Sequence, residues 1–126
     1  MLEPGSPNPE SDSRLPYSQG ILARGETRTL FVAGQVGIDA AGMVSPLFEA
    51  RVRQAWSNLL AAANMVVSDL AKVTVYLTSE SDYAAYAALR GKFLGAHRPA
   101  SALVVAAALA RPEWKFEIEA IAVAMV

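Results

Sequence analysis

Two stretches of the chain carry apolar residues at the spacing of an amphipathic helix. In the first, Phe48–Ala63, apolar side chains recur every three or four positions and form a single stripe. Asn64 follows this stripe, and asparagine readily adopts the left-handed conformation that ends many helices. The pattern therefore predicts a helix that ends at Asn64 and covers one side of a core.

The second helical pattern begins after a capping signal. Ser79 with Asp82 three residues later fits a capping box, in which each side chain bonds to the backbone N–H of the other residue. Because Pro99 cannot continue a helix, this helix is predicted to end near Ala96. The stripe that it would bury consists of Tyr83, Tyr86, Leu89 and Phe93.

Three short apolar segments have the composition of strands. Gln19–Ala23 and Thr29–Ala33 are separated by the turn-forming segment Arg24–Thr27, and this arrangement predicts a hairpin. Val73–Leu77 consists of β-branched and aromatic residues with one leucine, which favours a third strand between the two helices.

Two further strands are predicted in the last quarter of the chain. Ser101–Ala110 contains no charged residue, and a strand solvated on one face would alternate apolar with polar side chains. We therefore expect the helices to cover one of its faces and a neighbouring subunit to cover the other. Lys115–Met125 does alternate: Phe116, Ile118, Ala120 and Ala122 share one face, and Lys115, Glu117, Glu119 and Ile121 share the other.

These elements predict an α/β (α+β) protein in the order β-β-α-β-α-β-β, with a mixed sheet and both helices on one face. Residues 1–16 contain four prolines and are predicted to form an N-terminal arm. Residues 17–126 are predicted to form a single domain, because a segment of this length is typical of one folding unit.

Composition adds an expectation about assembly. Hydrophobic residues make up 53% of the 126 residues, more than a lone small domain usually needs. A domain of this size leaves much apolar surface uncovered, and a partner subunit is the simplest way to cover it. The sequence therefore predicts a homo-oligomer.

Charge and chemistry argue against several classes of function. The net charge is −1 and the basic residues are dispersed, which argues against a nucleic-acid partner. The chain has no cysteine and one histidine, so neither a metal site nor thiol catalysis is expected, and no motif indicates a cofactor. The polar, proline-rich start resembles neither a signal peptide nor a membrane span, which predicts a cytoplasmic protein without a membrane partner.

Four segments in order resemble the Rid (YjgF) family, the reactive-intermediate deaminases once labelled translation inhibitors or endoribonucleases. An RPA turn at residues 98–100 also falls where that family has one. The resemblance covers roughly residues 15–126, nearly the whole chain. The four segments are LPYSQG at 15–20, LFVAGQV at 30–36, VTVYL at 73–77 and FEIEAIA at 116–122.

The resemblance implies a chorismate-mutase-like fold and a homotrimer with small-molecule clefts between its subunits. The activity that it implies is hydrolysis of enamines and imines, such as 2-aminoacrylate, to keto acids and ammonia. In the family, a glutamate at the position of Glu117 holds the attacking water, and a tyrosine at the position of Tyr17 lines the cleft. Glu117 is therefore the predicted catalytic residue.

The predicted substrate-binding positions depart from the deaminase pattern. Deaminating members have an arginine directly after the Pro-Ala pair that clamps the substrate carboxylate, and this chain has Ser101 there. Ala33, beside Gly34 in the SGQ-like motif, and Ala87 also stand where polar residues are common in the family. With Tyr17, these four residues are the predicted substrate-binding set, and neither Arg98 nor Arg111 is expected to replace the missing arginine.

Each candidate also has a purely structural interpretation. Glu117 could be a solvated strand residue, Tyr17 could pack the arm against the sheet, and Ser101 could be an ordinary small residue at a strand start. His97 lies at the predicted end of a helix, where a cation is favoured, so we do not expect it to be a general base. Trp56 and the tyrosines of the second helix have the spacing of core or interface residues.

Three hypotheses about function follow. The chain could be an enzyme that hydrolyses an imine or enamine, with Glu117 activating water and Tyr17 and Ser101 placing the ligand. It could bind or sense a small metabolite after losing deaminase chemistry together with the arginine. It could also act as a chaperone-like trimer through its surface. The missing arginine is the feature that best distinguishes these hypotheses, because its absence argues against efficient 2-aminoacrylate deamination without affecting the fold.

Overall fold

The computed structural model describes residues 2–5, 15–64 and 66–126. Two short 3₁₀ turns span Val67–Asp69 and Glu80–Asp82. The regular elements are β1 (Leu2–Gly5), β2 (Gly20–Ala23), β3 (Thr27–Val36), α1 (Phe48–Ala63), β4 (Leu70–Leu77), α2 (Tyr83–Leu94), β5 (Ala100–Val105) and β6 (Phe116–Met125).

A four-stranded mixed sheet forms the centre of the fold, in the order β3-β6-β4-β5. β4 and β5 are parallel, and α2 lies in the crossover between them, as parallel neighbours require. β6 is antiparallel to both β3 and β4. The predicted α+β class with a mixed sheet is confirmed, and β3 and β5 are its two edges.

The predicted hairpin between residues 19–23 and 29–33 is wrong. β2 instead pairs with β1, from Leu2↔Ala23 to Gly5↔Gly20, and a Glu3–Arg24 ion pair of 3.2 Å joins this two-stranded ribbon. The turn itself is present, because Gly25 has a φ of 89°, but it leads into β3, which pairs with β6. Part of the predicted arm is therefore a strand, while residues 6–14 lie outside the described residues.

The core lies between the two helices and one face of the sheet. α1 has the predicted bounds, ends at Asn64 with a φ of 48°, and buries Val52 and Trp56 completely. The Trp56 indole stacks on Phe93 with ring centroids 5.2 Å apart, which joins α1 to α2. On β6 the predicted alternation is confirmed, because Phe116, Ile118, Ala120 and Ala122 are all buried beneath the helices.

Two predictions for α2 need correction. Ser79 caps a 3₁₀ turn rather than the helix, and its Oγ accepts a hydrogen bond from the Ser81 backbone N–H at 3.3 Å, so the predicted capping box does not form. The helix begins at Tyr83, which is 47% exposed and lies outside the core, whereas Tyr86 and Leu89 are buried. The helix ends at Leu94 because Gly95 adopts a φ of 57°.

The uncharged segment 101–110 is only partly a strand. β5 ends at Val105, opposite the last residue of its parallel partner, Leu77. The next backbone N–H, that of Ala106, still bonds to the Leu77 carbonyl at 2.8 Å, and then the chain leaves the sheet. A strand cannot extend past the end of its only neighbour without losing its hydrogen bonds, and the apolar pattern alone did not reveal where that neighbour ends.

Candidate functional site

A small cavity lies at the β5 edge of the sheet, beneath α2. We call it the edge cavity; its volume is about 60 Å³. It brings together the predicted residues Tyr17 and Ser101, and it also receives Arg90 from α2. Apolar side chains form most of its remaining wall, namely those of Val73, Val75, Tyr86, Leu94, Ala102 and Leu103.

Backbone pairing places Tyr17 beside β5. Ser18 forms a parallel bridge with Ala100, and its backbone N–H donates to the Pro99 carbonyl at 3.1 Å. The Ser18 hydroxyl also donates to the Arg98 carbonyl, and Ser18 is buried. The segment before β2 is thereby held against the start of β5, which carries Tyr17 to the cavity wall.

Ser101 enters the edge cavity because of its register in the sheet. It pairs with Val73, whose side chain is buried on the helix-covered face. Its Oγ donates to the Pro99 carbonyl at 3.3 Å. Ala87 is half-buried on α2 but is not part of the cavity wall.

The other predicted residues meet on the opposite face of the sheet. Ala33 and Gly34 form a β-bulge, because the register of β3 on β6 shifts by one residue between Val32 and Gln35. Glu117 of β6 packs against this bulge: a methyl group on Gly34 would lie 2.8 Å from both Cδ and Oε2 of Glu117. Only glycine allows the carboxylate to approach the backbone so closely.

The environment of Glu117 favours its protonated form. The pKa of the Glu117 carboxyl is raised above its ordinary value. The main cause is the loss of hydration on burial, and the nearby Glu119 carboxylate is the second cause. Glu119 itself is engaged, since the Tyr76 hydroxyl donates to its Oε1 at 2.8 Å. That hydrogen bond is the main reason why the pKa of Tyr76 is raised. A half-buried carboxyl with a raised pKa is a stronger base in its ionised form than an ordinary glutamate, which suits it to exchange protons with a water or a nitrogen.

A broad concavity of about 540 Å³ also lies on this uncovered face. Glu119 lies in its wall and Glu117, the predicted catalytic residue, does not. The remaining wall residues are Phe31, Val32, Ala33, Lys72, Thr74, Ala120 and Ile121. It is a broad, mostly apolar surface rather than an enclosed site.

The two groups of predicted residues therefore do not meet within one chain. Ser101 is opposite Val73, on the face covered by the helices, whereas Glu117 is opposite Tyr76, on the uncovered face. Adjacent residues of a strand point to opposite faces, so no side-chain rotation can bring Ser101 and Glu117 together. A site that uses both groups needs a second copy of the chain.

Sequence reasoning missed Arg90 as a residue of the cavity wall. Arg90 follows the buried Tyr86 by four residues on α2, and this one-turn spacing was the available signal. Arg111 stacks on Trp114, 5.9 Å from the ring centroid, in a loop that forms no part of the edge cavity. His97 donates from Nε2 to the Leu70 carbonyl at 2.7 Å, a structural contact.

Two negative findings hold for the residues that the structure describes. Within these ranges, no three histidine, cysteine or acidic side chains cluster as metal ligands would. No helix in the same ranges has both the length and the apolar composition that crossing a lipid bilayer requires.

Known proteins share both the sequence and the fold. The family described as endoribonuclease L-PSP matches residues 8–124. A RutC family protein of Pyrococcus horikoshii is 36% identical over 112 residues, which cover 85% of this chain and 86% of that protein. A 2-iminobutanoate/2-iminopropanoate deaminase of Capra hircus is 36% identical over 114 residues, which cover 86% and 80% of the two chains.

A solved structure of the same family has a similar fold. A protein of unknown function of the conserved Rid family from Yersinia pestis superimposes with a TM-score of 0.79 at 30% identity, covering 97% of this chain and 96% of that one. The family match over residues 8–124 includes all four segments that carry the motifs. This chain therefore belongs to the endoribonuclease L-PSP family, the Rid (YjgF) family that its motifs resemble.

Proposed function

We propose that this protein hydrolyses small imines or enamines to keto compounds and ammonia, in clefts between the subunits of a homotrimer. The observation that carries the proposal is the Glu117 carboxylate, which is half-buried, raised in pKa and held against the bulge at Gly34. Relatives named as 2-iminobutanoate/2-iminopropanoate deaminases from two organisms support this reaction class.

Assembly supplies what one chain lacks. Phe31 lies 75% exposed on the uncovered face of the sheet, next to the half-buried Ile121 of β6, with which it pairs. Burying this apolar surface against another copy would be favourable. In such an assembly, Glu117 of one subunit can approach the edge cavity of another, so that Tyr17 and Ser101 contact the substrate that Glu117 acts on.

Glu117 would act as a proton carrier in two steps. Its carboxylate accepts a proton from water as the water oxygen bonds to the imine carbon, and the C=N electron pair moves to nitrogen, which takes up a proton from solvent. Glu117 then returns its proton to the amino group of the carbinolamine. The C–N bond breaks and ammonia leaves as the hydroxyl oxygen releases its proton to solvent and forms the carbonyl. One water is consumed, one ammonia leaves and the carboxylate is regenerated, with no cofactor required.

The distribution of positive charge defines the expected setting of the reaction. The three lysines, Lys72, Lys92 and Lys115, are separated along the chain, which argues against binding to a phosphate backbone. We therefore propose a cytoplasmic enzyme of small molecules without a nucleic-acid partner. Salt-sensitive retention of RNA by the purified protein at physiological ionic strength would contradict this part of the proposal.

Ammonia release from imines generated in situ by an amino-acid oxidase tests the reaction. The wild-type protein should accelerate release, and Glu117→Gln should lose the acceleration while retaining its sedimentation mass. Glu119→Gln is the matched control, because Glu119 lies two residues along the same strand and face but bonds to Tyr76. This control should keep most of the activity. Equal activity in Glu117→Gln and wild type would overturn the proposal.

A second candidate function is supported by the residues around the cleft. Ser101, Ala33 and Ala87 replace polar groups of the deaminase pattern, which favours a trimer that binds a small metabolite without hydrolysing it. Ligand binding by a wild-type protein that releases no ammonia from any imine would select this candidate over the enzyme.

A further inference from the structure

Arg90 contributes a positive charge to the edge cavity. Its side chain is half-buried, and no described carboxylate forms an ion pair with it. An arginine stays protonated at all physiological pH values, so the cavity carries a full positive charge. A partly desolvated cation without a counter-ion is costly, and an anionic ligand would neutralise it.

The surroundings hold this charge in position. Its guanidinium carbon lies 5.9 Å from the centroid of the Tyr86 ring, which is 2% exposed and packed in the core. Burial raises the pKa of Tyr86 to about 12, so the ring remains neutral beneath the cation. Tyr17 and Ser101 belong to the same cavity wall. A tyrosine hydroxyl can donate to an anion, whereas the Ser101 hydroxyl already donates to the Pro99 carbonyl.

The size and lining of the edge cavity restrict the anion. A volume of about 60 Å³ is enough for a few water molecules, which matches a carboxylate with a short substituent. Val73, Val75 and Leu103 form an apolar wall that suits an alkyl group. The planar guanidinium fork matches the two oxygens of a carboxylate better than a single point charge does.

We infer that Arg90 binds the carboxylate of a short-chain 2-imino or 2-keto acid in the edge cavity. This inference rests on the proposed function for the identity of the ligand, and it assigns the acid-binding group to α2. Arg90 thereby takes the place of the arginine that Ser101 replaces on β5, and both residues belong to the wall of the same cavity. Arg90 is a binding and specificity residue, since proton transfer is assigned to Glu117.

Calorimetric binding of 2-oxobutanoate and its uncharged amide to the assembled protein tests the inference. The wild type should bind the acid roughly 10- to 100-fold more tightly than the amide, as expected for a charge-assisted pair. Arg90→Gln should reduce this ratio to about one. Arg111→Gln is the matched control, because Arg111 also stacks on an aromatic ring at 5.9 Å but lies outside the cavity, and it should leave the ratio unchanged.

Either of two results would overturn the inference: a wild type without preference for the acid, or an undiminished preference in Arg90→Gln. If Arg90→Gln fails to fold, Arg90→Lys replaces it. This variant keeps the charge without the planar fork and should lower the preference for the acid over the amide several-fold. An unchanged preference would again contradict the assignment. Because binding is measured without turnover, the assignment can hold even if no imine is hydrolysed. Conversely, hydrolysis that is independent of Arg90 would leave the proposed function intact.

Discussion

Glu117 packs directly on the backbone of Gly34, so that a methyl group at Gly34 would lie 2.8 Å from the carboxylate's Cδ and Oε2. The bulge of β3 and the Glu117 carboxylate of β6 are therefore in direct contact. The close contact at Gly34 is with the end of a flexible side chain. A methyl group added at the nearby Gly37 would instead lie 2.7 Å from the backbone Cα of Arg51.

These two glycines predict opposite outcomes of the same substitution. Gly34→Ala should displace the Glu117 carboxylate and lower imine hydrolysis, while changing the free energy of unfolding by less than about 1 kcal/mol. Gly37→Ala should destabilise the fold by about 1–3 kcal/mol, because the backbone of α1 cannot move aside cheaply. Urea unfolding and ammonia release measure the two effects, and full activity in Gly34→Ala would contradict the assigned role of the bulge.

The raised pKa of Glu117 predicts a pH-dependent stability difference. The folded protein holds this proton more tightly than the unfolded chain does, so the contribution to stability is complete below the ordinary pKa of 4.5 and is lost as the pH rises through the folded pKa. Glu117→Gln removes the dependence. The difference in free energy of unfolding between this variant and wild type should therefore shift in favour of the variant as the pH rises from below 4.5 to neutral. Parallel stability curves from urea unfolding across this range would contradict the pKa shift.

Assembly through the uncovered face can be tested at Phe31. Phe31→Glu places a charge where the wild type has a 75% exposed aromatic ring near Glu119, and we expect it to dissociate the trimer. Leu47→Glu is the control, because Leu47 is 68% exposed before α1, where an acidic residue is favourable. Sedimentation equilibrium should give about three chain masses for wild type and control. A monomeric wild type would exclude the site between subunits.

Moving the arginine within the edge cavity tests whether the two wall positions are equivalent. Ser101→Arg in the Arg90→Gln background should recover roughly tenfold preference for 2-oxobutanoate over its amide, since one guanidinium again faces the cavity. In the wild-type background the same substitution should add no affinity, because two like charges would compete for about 60 Å³. The binding ratios by calorimetry measure both cases. Additive gains in affinity would show that the two positions bind different groups.

The sequence alone determined α1 and the faces of most of β6. The stripe from Phe48 to Ala63 and the alternation from Phe116 to Ala122 depend only on local periodicity, and both are confirmed. Beyond Ala122 the alternation breaks, because Val123 is also buried. The family and the α+β class were likewise predictable, because motifs and binary pattern are local properties of the chain. The role of Glu117 remains a prediction for the experiments above.

The tertiary structure decided which strands pair and which residues meet. The hairpin prediction failed because a turn such as the one at Gly25 does not specify a partner, and the partners of β2 and β3 come from opposite ends of the chain. Strand register placed Ser101 and Glu117 on opposite faces, and the packing of α2 on β5 brought Arg90 to Ser101. These relationships join residues distant in sequence, where local pattern carries no information and only the packing of the whole chain selects the neighbours.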